Sequence, residues 1–572
     1  MSSADFETVL VKDSRLMSTD KLNYAVEMGG SNVVQQLYEA NSQSATSITF
    51  SLQVPSLETV MDRRVLVRSS FVLQCTGTAP AGQFLIDYGL RDALAPFPLN
   101  QLITNTTATI NNQSSSVSTK DVLASIIRFH DKRDLHAYNG MTPCQPDFFQ
   151  NYQDGIGANN NALGGWSNTA SENDYSPRGA WVLDFVSSTA PPVITPLVPS
   201  TGATQTIYIG ISVCEPLFIS PFTWANPKSG PQGMYGIQSM NINMTLGPAN
   251  RVWRCAPFVP LAGTVPKTFT VFSVNNSQLI VNYLTRHPSD VAPSRNVLPW
   301  YETPRYITGN LQALAAGATD TVRTQNIQLN QIPDSIIIFV RKTMGNQVPT
   351  DADFAMKINS CTVSFNNQNG LLANASQQDL YRYTRECSSN QTWYEFSGEA
   401  SIHDPSFPGG KVVPTSGSYL CLKFGQHIQI NEAFYAPGSL ANANLQLTLN
   451  ITNQTATNFA ANELEIVLIT VNSGLYVLER GVSSIYSGIL TKSSVLDSQN
   501  KQPVSSYDAS RMVGYGLFDS LKSVAGMVLP KLPSIAKAAL SLSGHPLAKA
   551  GVAGLSALGY GKAQHTKLSA HM

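Results

Sequence analysis

The residues that could do chemistry in this chain do not assemble into a catalytic pattern. His403-Asp404 and Ser406 supply the types of a nucleophile and its base. A triad needs hydroxyl, imidazole and carboxylate in line, and sequence neighbours rarely face one another that way. Gly155 and Gly157, in Asp154-Gly155-Ile156-Gly157-Ala158, would let a backbone approach a pyrophosphate, but no strand pattern precedes them. Gly559-Tyr560-Gly561-Lys562 lacks both the hydroxyl residue and the preceding strand of a phosphate loop. The histidines show no ligand spacing, and seven scattered cysteines contain no CxxC pair. The expectation is a non-enzyme with no catalytic residue, no cofactor and no metal. The cysteine pattern suits a reducing compartment rather than a disulfide framework.

Two aromatic groups, Trp300, Tyr301, Tyr306 and Trp393, Tyr394, Phe396, have the types that stack on sugars or bases. They carry an alternative reading, a carbohydrate-binding or carbohydrate-cleaving β-sandwich, which would need paired carboxylates roughly 5–9 Å apart. Against it, the N-terminal sequence has no apolar signal-peptide core. No apolar run is long enough for a transmembrane helix.

The elements that would position such residues are strands. Ser47 to Val54 alternates polar and apolar with period two, as a half-buried strand does. Further strand patterns cover Arg63 to Gln74, Thr204 to Val213, Ile237 to Leu246 and Phe269 to Leu284. After a proline-punctuated segment, His287 to Pro304, they resume at Ser335 to Arg341, Leu445 to Thr452 and Leu464 to Val471. Pro80 to Pro98 reads as a long loop. A phrase occurs twice: Thr107-Ala108-Thr109-Ile110-Asn111-Asn112-Gln113 and Thr362-Val363-Ser364-Phe365-Asn366-Asn367-Gln368. Each copy ends a strand pattern and precedes a short amphipathic helix. The first helix starts at Ser118, whose side chain is expected to cap it, and buries Val122, Leu123, Ile126 and Ile127 on one face. The second runs from Ser376 to Glu386 with Leu380, Tyr383 and Thr384 on one face.

This spacing predicts an all-β chain of two tandem jelly-roll sandwiches, with a short helix in each and a helical C-terminal tail. The expected division is an N-terminal arm over 1–45, a first roll over 46–290, a second over 291–490 and a tail over 491–572. Asn111, Asn112 and Gln113 should superpose on Asn366, Asn367 and Gln368.

Charged residues make up 13% of the chain and cancel to zero net charge. Ordinary soluble domains carry about 25%. Amides and hydroxyls take their place, and these lose less on desolvation against a neighbour. A neutral chain argues against sequence-specific nucleic-acid binding. Residues 510–572 depart from this balance, with seven Lys or Arg against one acid. Within them Leu517, Leu521, Val524, Ala525 and Val528 fall on one helical stripe before Pro530. Two readings stay open for this segment: an interfacial membrane binder, with an apolar face and lysines for headgroups, or an arm that packs under its own sandwich or its neighbours. It resembles the membrane-active peptides of amphibian skin that begin GLF or GLL. Just upstream, Met512, Gly514, Tyr515 and Gly516 resemble the site cut by adenovirus-type cysteine proteases, with cleavage between Tyr515 and Gly516.

Other patches carry a wider likeness. They are Arg91-Asp92-Ala93 with Pro96-Phe97-Pro98, Ile103-Thr104-Asn105-Thr106, Gly157-Ala158-Asn159-Asn160-Asn161, and Gln331-Ile332-Pro333-Asp334-Ser335-Ile336-Ile337-Ile338-Phe339. Over roughly residues 45–490 the chain resembles the double jelly-roll major capsid proteins of the virophage, Polinton-like virus and adintovirus group, in the adenovirus-related lineage. The resemblance implies a virion capsid protein, assembled inside the host cell. It implies homotrimers of pseudo-hexameric outline that tile an icosahedral shell beside neighbouring trimers, penton proteins and minor capsid proteins. It also implies a maturation cleavage by a viral cysteine protease that frees the tail toward a membrane. A penton or minor capsid protein is a further alternative, and would carry a single roll.

Overall fold

The computed structural model describes residues 33–490. Excepted are residues 90, 131–134, 136–140, 151–181, 223–232, 257–266, 285–294, 367, 405–406, 432–434 and 489. The expected helical tail and its sites lie outside the described residues.

The first half is built from β1 (Val33–Glu39), β2 (Ser47–Gln53), β3 (Leu66–Thr78), β4 (Ile103–Ile110), β5 (Gln113–Val117), β6 (Thr204–Pro216), β7 (Ser239–Leu246) and β8 (Thr268–Leu284). One sheet runs β1-β8-β3-β6 and the other β2-β7-β4-β5, all antiparallel. Period-two alternation turns Ile48, Phe50 and Leu52 of β2 toward Met240, Ile242 and Met244 of β7 in the core between the sheets. Strand pairing begins at Val33, inside the stretch expected to be an arm. β1 lies along the whole inner half of β8, from Val33 opposite Leu284 to Glu39 opposite Gln278.

The second half repeats the plan. Its strands are β9 (Asn296–Glu302), β10 (Ile327–Gln331), β11 (Ser335–Lys342), β12 (Lys357–Phe365), β13 (Gln368–Leu371), β14 (Leu420–Lys423), β15 (Leu440–Thr452), β16 (Leu464–Glu479) and β17 (Val482–Ser487). One sheet runs β9-β16-β11-β14 and the other β10-β15-β12-β13. Two jelly-roll sandwiches in tandem are therefore the architecture, as the spacing of strand patterns predicts.

Among the described residues four α-helices accompany the rolls: α1 (Pro98–Leu102), α2 (Thr119–Phe129), α3 (Gln377–Glu386) and α4 (Trp393–Ser397). α3 starts with a capping box, Ser376 Oγ accepting from Asp379 N while the Asp379 carboxylate accepts from Ser376 N. The cap expected of Ser118 is absent. Its hydroxyl instead donates to the Asp121 carboxylate at 2.7 Å, because Asp121 is buried there and needs the donor. The expected one-sided burial of α2 is also corrected. Every residue of α2 except Lys120 is buried, since the helix is wedged between the two rolls. The long loop expected over Pro80 to Pro98 contains a strand, Asp92–Leu94, paired with Trp253–Cys255. Asp92 holds it in place by accepting from Trp253 Nε1 at 2.8 Å and Lys267 Nζ at 2.6 Å.

Candidate assembly site at the inter-roll junction

β11 explains how the rolls join. Its sequence is apolar on both faces. Ile336, Ile338 and Val340 enter the second roll's own core, while Ile337 and Phe339 point the other way, toward α2. β16 divides likewise: Ile466 and Leu468 face inward, Val467, Ile469 and Val471 outward. A strand covered on both faces loses the apolar/polar alternation of a solvated one. The outward residues form a separate apolar layer with Leu123, Ile127 and Phe129 of α2. Farther along β16, Tyr476 and Leu478 join Leu298 and Trp300 of β9 in the first roll's core. The halves are thus welded by apolar packing at two levels.

A buried charge network lies beside this layer. Asp353 accepts from Gln101 Nε2 at 2.9 Å and sits 3.3 Å from Arg254 and 3.5 Å from Arg251. Arg254 also pairs with Asp147 at 3.2 Å, and Asp147 accepts from Asp353 N at 2.9 Å. Arg128, on α2, donates to Asp353 O at 2.6 Å and stacks over the Tyr419 ring at 4.1 Å. On the other flank, Asp121 of α2 takes Arg341 of β11 at 2.5 Å and also Arg305, while Arg341 bonds Glu465 at 2.8 Å. Burial alone would raise the Asp353 carboxyl, but Arg254, Arg251 and Arg128 overcome it and hold the group well below the ordinary carboxylate range. Asp121 is lowered in the same way: burial opposes, Arg341 prevails, and Ser118 and Arg305 add to it. Both carboxylates stay charged because each faces more than one guanidinium. Gly417 closes the junction with φ 76°, where an added Cβ would lie 1.8 Å from Ala355 O. No motif announced this network. The available signal was charge inside apolar runs, as in Ile336-Ile337-Ile338-Phe339-Val340-Arg341.

The repeated phrase sits at hairpin tips. Asn111, φ 54°, turns β4 into β5; Asn366, φ 51°, turns β12 toward β13. Asparagine tolerates this left-handed region, which explains its use at both tips. Each side chain reaches the neighbouring strand in the same manner. Asn111 Oδ1 accepts from Gln238 N at 2.7 Å and its backbone N–H donates to Ser239 O; Asn366 Oδ1 accepts from Asn444 N at 3.1 Å and its backbone N–H donates to Asn444 O. Gln113 and Gln368 open the return strands, and Asn367 lies outside the described residues. The first tip has a second task. Asn111 Nδ2 donates to Gly236 O and Ser483 Oγ, both at 3.1 Å, and Asn112 Oδ1 accepts from Ser483 N at 2.8 Å. These bonds stitch the first roll to β17 of the second half. Asn111→Ala should therefore cost more than Asn366→Ala. The shared turn contributes about 1 kcal/mol to each, and the extra bonds roughly 1–2 kcal/mol to the first alone. Urea unfolding midpoints of the two variants measure the difference; equal losses would remove the stitching role.

The aromatic groups are packing residues. Trp300 belongs to the first core, Phe396 to the second, and Trp393 meets Tyr381 edge-on at 5.4 Å. Folding does align a cysteine, a histidine and a carboxylate: Cys387, His427 and Glu386. The histidine has no nitrogen free to act as base, because Nδ1 accepts from Lys423 N at 3.1 Å and Nε2 bonds Glu386 at 2.9 Å. Cys387 is sealed from solvent and donates to Cys421 O. A nucleophile needs an unengaged base and access, and neither is present here. Met512, Gly514, Tyr515 and Gly516, and the stripe Leu517, Leu521, Val524, Ala525 and Val528, lie outside the described residues.

Comparison with known proteins agrees with this architecture. Residues 4–284 match the family described as Sputnik virophage major capsid protein 1st domain, and residues 303–474 match Major capsid protein V20 C-terminal domain. The chain is 27% identical over 588 residues to the putative capsid protein V20 of Sputnik virophage, covering 98% of this chain and 94% of that protein. Among solved structures, the Sputnik virophage cryo-EM structure superposes with a TM-score of 0.73 at 25% identity, covering 88% of this chain and 98% of that one. The mavirus major capsid protein gives a TM-score of 0.69 at 14% identity, covering 88% and 100%.

Proposed function

The chain belongs to the major capsid proteins of the virophage group, and from that premise we propose that three copies close into a ring of six rolls that tiles an icosahedral shell. It is a structural protein of the virion rather than an enzyme. The observation that carries the ring is the unequal use of two equivalent helices. α2 follows the first hairpin and is buried against the outer sheet face of the second roll. α3 follows the second hairpin, yet buries only Leu380 and Thr384 and leaves Gln378, Arg382 and Arg385 exposed. In a pseudo-sixfold ring, every roll sets its helix against the next roll. α2 does so within the chain, and α3 does so against the first roll of the adjacent copy. We read the Asn111 and Asn366 turns as the same position of a duplicated roll, and 46–290, extended back to Val33 by β1, and 291–490 as its two units. Neighbouring trimers, penton proteins and minor capsid proteins meet the outer surfaces of the ring.

In the tail, a viral cysteine protease cuts between Tyr515 and Gly516, and the released segment acts on membrane. Supporting this are the glycines of the motif, which let a chain lie extended in a protease groove, and the apolar stripe that begins directly behind it.

Electron microscopy of the purified full-length protein tests the ring. Trimers with hexagonal outline are expected, and Arg382→Glu with Arg385→Glu should shift them to folded monomers with an unchanged circular dichroism spectrum. Monomers or dimers of the unmodified chain would overturn the reading.

A further inference from the structure

A cleft of about 420 Å³ opens between the rolls, bounded on one side by Ser114 and Ser116 of β5 and on the other by Ile485 and Ser487 of β17. Both walls are strand edges. Among the described residues β5 pairs only with β4, and β17 only with β16. In an antiparallel pair, alternate residues direct their N–H and C=O groups away from the partner. Ser483 marks the outward set of β17, since its amide leaves the sheet to reach Asn112 Oδ1. Period two makes Ile485 and Ser487 the next outward residues, and both line the cleft. The bonds from Asn111 and Asn112 to Ser483 hold the strands together at one end, and from there both run in the same direction along the cleft. The result is a slot with an unpaired strand edge on each side.

The interior is equipped for a peptide as well. Val122 and Ile126 of α2 and Phe218 give it an apolar floor. Trp300 lines it with its indole Nε1 lacking any hydrogen-bond partner, although only 6% of the residue is exposed. A buried donor left unpaired costs free energy until an acceptor arrives. Glu302 stands at the rim, its carboxyl raised by burial. Free strand edges that accept an extended segment are a recurrent mode of peptide capture.

The chain itself supplies a matching segment. Leu490, the last described residue, is fastened through its amide to Gly438 O. It follows Ser487 by three residues, so it lies within about 10 Å of the cleft rim. Beyond it come Ser493-Ser494-Val495-Leu496, uncharged, short and bracketed by Lys492 and Asp497. We propose that this segment of the chain's own tail turns back into the cleft as an added strand between β5 and β17, antiparallel to both. Its carbonyls take the outward amides and the Trp300 N–H, and Val495 and Leu496 meet the floor. The tail then has a fixed root inside the roll junction, and a cut at Tyr515–Gly516 leaves that root in place.

The test uses the full chain, with p-benzoylphenylalanine at Ser116 and, as a second site should that variant misfold, at Ser487. Irradiating a mixture of isotopically heavy and light protein and mapping the products by mass spectrometry should give crosslinks to residues 491–511 of the same isotopic form. Mixed-isotope crosslinks, crosslinks to another segment, or none at both sites would overturn the proposal. Hydrogen exchange gives an independent reading. The Ser114 and Ser116 amides should exchange slowly, and Val495→Asp with Leu496→Asp should speed them at least tenfold; an unchanged rate would also overturn it.

Discussion

Asp353→Ala is expected to lower the unfolding free energy by about 3–5 kcal/mol, the penalty for leaving buried guanidinium groups without their counter-charge. Arg251 has its ion pair with this carboxylate, Arg254 shares it with Asp147, and neither guanidinium is positioned to reach water. The substitution also frees the Gln101 amide. Because Gln101 and Arg251 belong to the first half and Asp353 to the second, the damage should fall on the union of the rolls. Chemical unfolding of the variant is expected to separate into two transitions where the unmodified chain gives one. A double variant that also replaces Arg251 by Met should recover part of the loss, since it removes the guanidinium whose ion pair was with Asp353 while Arg254 keeps Asp147. A single transition with less than about 1 kcal/mol lost would mean that the apolar layer around Phe339 alone holds the junction.

The pH profile follows from the same groups. Asp353 and Asp121 have lowered values in the folded state, so the unfolded chain binds their protons first. Their contribution is complete above the unfolded value of about 3.9 and disappears as pH falls through the folded values. Glu215 and Asp334 have the opposite sign. Burial pushes Glu215 up to about 7 against the amides of Leu99 and Asn100, and Asp334 up to about 6 against bonds from Ser473. The folded state retains these protons longer, so stability declines as pH rises from about 4 toward 7. Stability should therefore be greatest near pH 4–5, and Asp353→Ala should flatten the acid limb alone.

Much of this structure was legible in the sequence, for a physical reason that also sets the limit. Period-two alternation records one face against a core and one against solvent. It therefore placed β2 and β7 well, and the doubled phrase marked the strands β4 and β12, though not the hairpins in which they end. α2 and β11 have no solvent face. Val122, Leu123, Ile126 and Ile127 read as a single stripe, while Asp121, Ser125 and Arg128 on the opposite side are buried too, Asp121 and Arg128 against partners more than two hundred residues away. Polar residues that face another domain look like polar residues that face water. For the same reason Ser118 resembled a helix cap when it serves Asp121, and Val33–Glu39 resembled an arm when it completes a sheet edge.

Charging the apolar stripe of the tail should abolish its action on membranes. A synthetic peptide spanning residues 516–542 is expected to release dye from anionic liposomes, and Leu521→Lys with Val524→Lys to stop it. Burying a leucine or valine side chain contributes roughly 1.5–3 kcal/mol each, so removing both weakens partitioning by about 3–6 kcal/mol, on the order of 10²–10⁴-fold. The added positive charge would favour anionic headgroups, by about 1 kcal/mol per lysine. That gain is smaller than the loss, so the apolar term decides the sign. If the stripe instead packs against the shell, the unmodified peptide should leave the liposomes intact, and the same substitutions in the full chain should impair particle assembly. In mature particles the membrane reading further requires a fragment beginning at Gly516. Gly514→Val and Gly516→Val should eliminate it, because each side chain would obstruct the extended fit of the chain in a protease groove. Mass spectrometry of such particles showing the fragment undiminished would detach the Met512–Gly516 motif from tail release.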